Sequence, residues 1–312
     1  MTMTLHILGS VSIRLALHEM RRSARLAGKD QASSSSSSGS VGTKTQKKKE
    51  RRRVPSPPSP SPSPSPAPIP ASTQAGSAWE VSAALAHLRK ADPLLGPVLD
   101  RFGPPTGLVP GGRRSREGET TTTTTTAFAS LARAVVGQQL SPAAAATIHS
   151  RFVALCEGGE GGGGVDPGTV ADLPVGALRE AGLSGRKANY LQDLAGHFLD
   201  GRLSDGRLAS STDSNLRASL TAVRGVGPWT CDMFLMFTLG RADILPVGDL
   251  GVRKGMAALH GMGAGAGTRG LPSPGRMEEL AAKWAPYRSV GSWYMWRLAD
   301  EVKTKTKAKG RK

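Results

Sequence analysis

Apolar positions recur at helical spacing along the chain beyond residue 76, and turn residues separate the resulting segments. Three apolar residues share one face of such a helix: Leu216, Leu220 and Val223. Asp213 or Ser214 is the expected N-cap of this helix. Further upstream, the Asp-Pro step at residues 92–93 separates two helices. The pattern predicts an all-α domain over residues 76–302.

A second pair of helices is predicted around two adjacent glutamines. The apolar face of the first helix is formed by Phe128, Leu131 and Val135. Gly137 ends this helix, and Ser141 followed by proline caps and starts the next one. Gln138 and Gln139 therefore fall in a tight turn between two helices.

A later helix is predicted to begin after Ser184, its expected N-cap. Its apolar face consists of Ala188, Leu191, Ala195 and Phe198. Arg186 and Lys187 lie in its first turn, where the helix dipole disfavours cations. Two interpretations of this pair remain open: contact with a phosphate group, or ordinary surface exposure.

The Gly-rich stretch 157–168 and the Thr-rich stretch 104–126 have the composition of flexible insertions. The Thr-rich stretch contains three arginines that could contact phosphate or lie in a solvated loop: Arg113, Arg114 and Arg116. The Thr-rich stretch is therefore expected at the surface.

A glycine-containing turn connects the helix that ends near Val223 to the next helix. The turn comprises Arg224, Gly225, Val226 and Gly227. Glycine permits positive φ and close approach of another backbone, and Pro228 suits the first position of a helix. The unpaired N–H groups and dipole of a helix start can bind a phosphate. Some twenty residues later Asp249 opens another helix, where a carboxylate alone is most simply an N-cap.

Charge is concentrated in the two tails. The chain has a net charge of +17, to which residues 1–75 contribute +9, residues 303–312 contribute +6 and residues 76–302 only +2. The first 75 residues include a serine run, a basic cluster at residues 47–53 and a proline-rich segment, so we predict that they are disordered. The tails serve solubility or targeting, or they attract a polyanion.

The two cysteines are far apart and have no metal-ligand spacing, which is typical of a reducing compartment and excludes a four-cysteine iron–sulfur cluster. The basic cluster at residues 47–53 predicts localisation to the nucleus. The acid-poor, Arg-bearing leader at residues 1–30 leaves an organelle, a mitochondrion or chloroplast, as the alternative.

Together, the GVGPWT hairpin, the PVGD loop, the VGQQLS turn and the WAPYRS segment resemble the helix-hairpin-helix, Gly/Pro-Asp superfamily of DNA base-excision glycosylases. Within it, the chain is most similar to the alkylated-base (3-methyladenine) glycosylase family. The resemblance implies two helical lobes with a central cleft and double-stranded DNA with a damaged base as partner. We expect a monomer with no cofactor and no metal-ligating side chains, and a monovalent cation on the hairpin carbonyls, as in the family, is left open.

The resemblance also implies roles for individual residues. Asp249 is the expected catalytic carboxylate, which would stabilise positive charge on the sugar and must therefore reach the groove between the lobes. The expected base pocket is formed by Trp229, Met233 and Trp296. The expected DNA contacts are Gln138, Gln139 and Leu140, with Gln139 or Leu140 filling the gap left by the flipped base, and Arg224, Gly225, Val226 and Gly227.

Bifunctional members of the superfamily carry a nucleophilic lysine two places after the second glycine of the hairpin. Here Pro228 and Trp229 follow that glycine. We therefore predict a monofunctional enzyme that excises alkylated purines and leaves an abasic site. The alternatives are a glycosylase for uracil, mismatched or oxidised bases, a non-catalytic helix-hairpin-helix module, and an all-α scaffold with incidental basic tails.

Overall fold

The computed structural model describes residues 79–108, 126–158, 164–262 and 270–309. Every regular element in these ranges is helical, which confirms the predicted all-α fold. The predicted disordered tail, its leader and basic cluster, and the three arginines of the Thr-rich stretch lie outside the described residues. Within the described ranges, no helix combines the length and apolar character needed to cross a lipid bilayer.

The described residues form thirteen α-helices and one 3₁₀ turn along the chain. They are α1 (Val81–Ala91), α2 (Gly96–Phe102), α3 (Ala127–Gly137), α4 (Pro142–Glu157), α5 (Pro167–Asp172), α6 (Val175–Glu180), α7 (Gly185–Leu199), α8 (Asp205–Ser210), α9 (Asp213–Thr221), α10 (Pro228–Phe237), α11 (Leu250–Leu259), α12 (Pro274–Ala281), a 3₁₀ turn (Ala282–Trp284) and α13 (Arg288–Lys309). The basic residues predicted to form a separate C-terminal tail continue α13 as far as Lys309.

Side-chain caps explain where several helices begin. Ser141 Oγ accepts a hydrogen bond from Ala144 N at 3.1 Å, and Ser184 accepts one from Lys187 N at 3.3 Å, so both predicted N-caps are confirmed. The predicted cap of α9 is wrong by one residue, because Thr212 provides it. The prediction of a flexible stretch through residue 168 is also wrong at its end, since Pro167 begins α5.

The helices form two lobes. In one lobe the first two helices, α1 and α2, pack with the last three, α11, α12 and α13. The other lobe contains the continuous stretch from α3 to α10. The two ends of the domain thus build one lobe and its middle builds the other, with buried apolar side chains continuing between them.

The connection from α10 to α11 crosses from one lobe to the other and is fixed by polar contacts. Trp79 Nε1 donates to Gly240 O at 2.8 Å, and Ser289 Oγ donates to Arg241 O at 2.7 Å. Arg288 makes a bidentate ion pair with Asp243, with both N–O distances 2.7 Å. These contacts hold the segment that leads directly to Asp249.

The middle of α11 packs closely against α13. A Cβ at Gly255 would overlap the backbone of Met295, so only glycine allows the two helices to approach this closely. Because Asp249 is the N-cap of α11, this crossing also sets the position of that carboxylate relative to α13.

Candidate active site

The predicted hairpin is present: α9 ends at Thr221, residues 222–227 form the connection, and α10 begins at Pro228. Val223, expected on the face of the first helix, lies in this connection. Gly225 has a φ of +84°, and the aromatic ring of Tyr190 from α7 packs against it so closely that a Cβ would overlap the ring. The close approach is therefore made by a side chain and not by another backbone. Gly227 has a φ of −88° and a Cβ there would meet no atom within 4 Å, so this side of the turn is open.

The remaining turn residues differ in exposure. Val226 is buried, whereas the Arg224 side chain is 73% exposed and forms an ion pair with Asp193 of α7. Asp193 also accepts a hydrogen bond from Arg224 N at 2.8 Å. Pro228 occupies the first turn of α10, so the start of that helix lies beside the open face of Gly227.

Asp249 brings together three donors from different parts of the chain. It is the N-cap of α11, with Oδ1 accepting from Val252 N at 2.8 Å. The same oxygen accepts from Trp296 Nε1 at 2.8 Å, and Oδ2 accepts from Trp229 Nε1 at 2.7 Å. The Asp249 side chain therefore caps α11 and also accepts hydrogen bonds from two of the expected pocket residues.

The carboxylate is more enclosed than the sequence suggested. Asp249 is 0% exposed. The half-buried Trp229 lines an adjoining cavity of about 670 Å³, whose wall includes Gly248 but not Asp249. The expectation that Asp249 faces the groove directly is therefore wrong in this conformation, because the indole of Trp229 lies between the cavity and Oδ2.

The other two expected pocket residues lie on α10 and α13. Met233 is half-buried one turn beyond Trp229. Trp296 is buried and stacks on Phe237, with ring centroids 5.8 Å apart and an interplanar angle of 30°. Indoles from both lobes thus contact Asp249, but of the three expected pocket residues only Trp229 lines the cavity.

A second carboxylate near Asp249 was missed from the sequence. Asp232 is buried on α10, three residues after Trp229, and is paired with Arg217 of α9. Burial raises its pKa to about 6, and the negative charge of Asp249 adds to this effect. The i, i+3 spacing from Trp229 was the available signal, since it places both side chains on the same side of one helix.

The wedge loop, Gln138 to Leu140, lies beside the hairpin. Gln138 Nε2 donates to Gly225 O at 2.7 Å, so this side chain contacts the hairpin rather than standing free. Gln139 is exposed with a φ of +59°, and Leu140 is half-buried. Lys187, for which phosphate contact was one interpretation, instead donates to backbone carbonyls at the end of α3.

The described residues contain no group of three or more His, Cys, Asp or Glu side chains arranged to hold a metal ion. Both cysteines, Cys156 and Cys231, are buried with free thiols. Burial raises the pKa of these thiols, to about 11 and about 12 respectively. A thiolate nucleophile is therefore not available near neutral pH.

Comparison with known proteins agrees with this geometry. The model of the HhH-GPD superfamily base excision DNA repair proteins matches residues 132–286. DNA-3-methyladenine glycosylase 1 of Schizosaccharomyces pombe is 31% identical over 180 residues, which cover 56% of this chain and 75% of that protein.

Two solved structures have the same fold. The DNA-3-methyladenine glycosidase of Bacillus halodurans is 31% identical with a TM-score of 0.57, covering 69% of this chain and 88% of that one. The 3-methyladenine DNA glycosylase of Schizosaccharomyces pombe, in complex with abasic DNA, is 26% identical with a TM-score of 0.53, covering 69% and 95%. The chain therefore belongs to the helix-hairpin-helix, Gly/Pro-Asp superfamily of base-excision DNA repair proteins.

Proposed function

We propose that this chain is a monofunctional DNA glycosylase that hydrolyses the N-glycosidic bond of alkylated purines of the 3-methyladenine type in double-stranded DNA. The observation that carries the proposal is the convergence of Trp229 and Trp296 on the carboxylate of Asp249, next to a hairpin with an open glycine face. The names of the relatives support the substrate class.

Asp249 supplies the electrostatic part of the reaction. Loss of the base leaves positive charge on the sugar, and a buried carboxylate stabilises that charge more strongly than one in water. The same carboxylate can orient the attacking water. Because Trp229 covers Oδ2, its indole must move away before the sugar or water can reach that oxygen.

The flipped base would lie against the aromatic side chains of the pocket. An alkylated purine that carries positive charge is attracted to the electron-rich face of Trp229 or Trp296. Met233, one turn beyond Trp229, would add an adaptable apolar surface. Such a base is a good leaving group, so the reaction makes little demand on a general acid.

DNA distortion is assigned to the wedge loop and the hairpin. Gln139 or Leu140 fills the gap left by the flipped nucleotide, which offsets part of the few kcal/mol lost on unstacking. The N–H groups at the start of α10 bind a backbone phosphate beside Gly227. Pro228 and Trp229 occupy the positions after the hairpin where a Schiff-base lysine would be required for strand cleavage.

The other functions considered are less well supported. A non-catalytic DNA-binding module would not need a buried carboxylate bonded to two indoles. A glycosylase for uracil or mismatched bases would differ in its substrate, and the lysine-free hairpin argues against the usual oxidised-purine type.

The substrate is tested with a panel of duplexes that each hold one altered base. Release of methylated purines, with strand scission only after alkali, is the expected result. Scission without alkali would contradict the monofunctional assignment, and release of only uracil or oxidised bases would contradict the substrate class.

The role of Asp249 is tested by Asp249→Asn in single-turnover reactions. We expect base release to slow by at least about 100-fold, the cost of losing one such electrostatic interaction, while binding to abasic DNA is largely retained. Asp100→Asn is the matched control, because it removes the same charge from an exposed site on α2. Undiminished activity of Asp249→Asn would rule out the proposed role.

We also propose that the protein acts as a monomer in the nucleus. The basic cluster at residues 47–53 motivates this location, and the leader at residues 1–30 motivates an organelle as the alternative. Fluorescent fusions lacking one or the other segment distinguish the two, and sedimentation of the protein with duplex DNA tests the stoichiometry.

A further inference from the structure

Lys187 is unfavourably placed in its own helix, but its side chain interacts favourably with the end of another helix. It lies in the first turn of α7, where the helix dipole disfavours a cation. Its Nζ reaches the opposite, negative end of α3 and donates to Val136 O at 2.7 Å and Gln138 O at 2.6 Å. The ammonium thus satisfies carbonyl groups that a helix C-terminus leaves without intrahelical partners.

The surroundings of Lys187 indicate that its ammonium group serves to bind these two carbonyls. The side chain is half-buried, and burial lowers its pKa to about 8. No carboxylate contributes to this shift, so within the described residues the charge is stabilised by backbone oxygens rather than by an ion pair. Its neighbour Arg186 carries the same charge but is exposed.

The two hydrogen bonds act on the conformation of the wedge loop. Gln138 O belongs to the peptide group that precedes Gln139, whose φ of +59° is uncommon for a residue with a side chain. A left-handed residue of this kind persists only where its surroundings hold it. Lys187 holds the peptide on one side of Gln139, and the amide of Gln138 is fixed on Gly225 O.

The same helix also holds the hairpin. Tyr190 of α7 packs its ring on Gly225, and Asp193 accepts from Arg224 N and Nε at 2.8 and 2.9 Å. With Lys187, these residues lie at i, i+3 and i+6, so successive turns of α7 contact the wedge loop and the hairpin in order. One rigid element therefore sets the spacing between the two parts that contact DNA.

We propose that Lys187 is a positioning residue for nucleotide flipping, which presents Gln139 to the DNA at a fixed distance from the hairpin. This inference rests on the proposed function. Lys187 does not touch the reacting bond; it acts through the wedge loop. Its loss should therefore slow base release most where extrusion of the base costs most.

The test compares single-turnover base release from two duplexes. In one, the methylated purine is paired with its normal partner; in the other, it lies opposite an abasic-site analogue, which makes extrusion easier. Lys187→Met removes both hydrogen bonds and keeps the aliphatic stem. Arg186→Met is the matched control, since it removes one charge from the same helical turn.

We expect Lys187→Met to slow release from the paired duplex by roughly 10- to 100-fold, as for loss of charge-assisted hydrogen bonds. Release from the unpaired duplex should change by less than about 3-fold. Lys187→Arg, which can donate to both carbonyls, should recover most of the rate. Arg186→Met should change release from the two duplexes by the same factor.

Two results would overturn the inference while leaving the proposed function intact. One is an equal loss on both duplexes, with a lowered melting temperature, which would make Lys187 a merely structural residue. The other is a Lys187→Met protein as active as the wild type on the paired duplex. A wild-type protein inactive on both duplexes would refute the proposed function itself.

Discussion

The two glycines of the hairpin turn should respond differently to the same substitution, alanine. Gly225 has a positive φ and faces the ring of Tyr190, whereas Gly227 has an ordinary φ and open space around it. We therefore predict that Gly225→Ala mainly destabilises the fold and that Gly227→Ala mainly weakens DNA binding. The two variants together distinguish the structural role of the turn from its contact with a phosphate.

The magnitudes follow from the local geometry. Placing alanine in the left-handed region costs about 1–2 kcal/mol, and the overlap with the Tyr190 ring adds about 1–3 kcal/mol. Gly225→Ala should therefore lower the melting temperature by roughly 5–15 °C. At Gly227, loss of a good N-cap residue is offset by reduced freedom of the unfolded chain, so stability should change by less than about 1 kcal/mol.

The effect on binding should have the opposite order. A Cβ at Gly227 lies where a phosphate would approach the start of α10, and loss of one charge-assisted hydrogen bond is worth about 1.5–3 kcal/mol. This corresponds to a roughly 10- to 100-fold higher Kd. Fluorescence anisotropy with a labelled duplex containing an abasic-site analogue measures it, below both melting temperatures.

One outcome would refute this reasoning directly. If Gly227→Ala binds the abasic duplex as tightly as the wild type, the hairpin does not contact a phosphate at this position. Circular dichroism melts of both variants test separately whether the fold requires glycine at position 225.

Three further predictions concern buried carboxylates. Asp249→Asn should lower the free energy of unfolding by about 2 kcal/mol in urea titrations, because an amide cannot accept from both indole N–H groups. Burial raises the pKa of Asp232 to about 6, so its protonated form stabilises the fold at low pH and that stability is lost as the pH rises from about 4 to about 6. Asp232→Asn should remove this pH dependence of stability. If the variant and the wild type show the same dependence of stability on pH between 4 and 7, the prediction is contradicted. Asp92→Ala should cost about 2–3 kcal/mol in thermal melts, because it leaves the buried Trp284 Nε1 without its acceptor at 2.8 Å; a loss below about 0.5 kcal/mol would show that this bond contributes little.

The sequence by itself determined the local structure of this protein. Helical periodicity, Ser caps and a Pro at the start of some helices identified most helices, since these signals act within a few residues. The hairpin and Asp249 could be recognised for the same reason: a glycine turn and an N-cap are local features. Two predictions were wrong at helix boundaries: Thr212 caps α9 in place of Asp213 or Ser214, and α5 begins earlier than expected. At such boundaries neighbouring residues can cap a helix almost equally well.

Only the tertiary structure decided how these parts meet. Trp229 and Trp296 lie 20 and 47 residues from Asp249, and no pattern along the chain fixes which indole reaches which oxygen. Lys187 looked like a misplaced cation in its own helix, because its true partner is the end of α3, about 50 residues earlier. Burial of Asp249 and the raised pKa of Asp232 have the same origin: desolvation depends on packing of both lobes around a site, which a linear sequence does not specify.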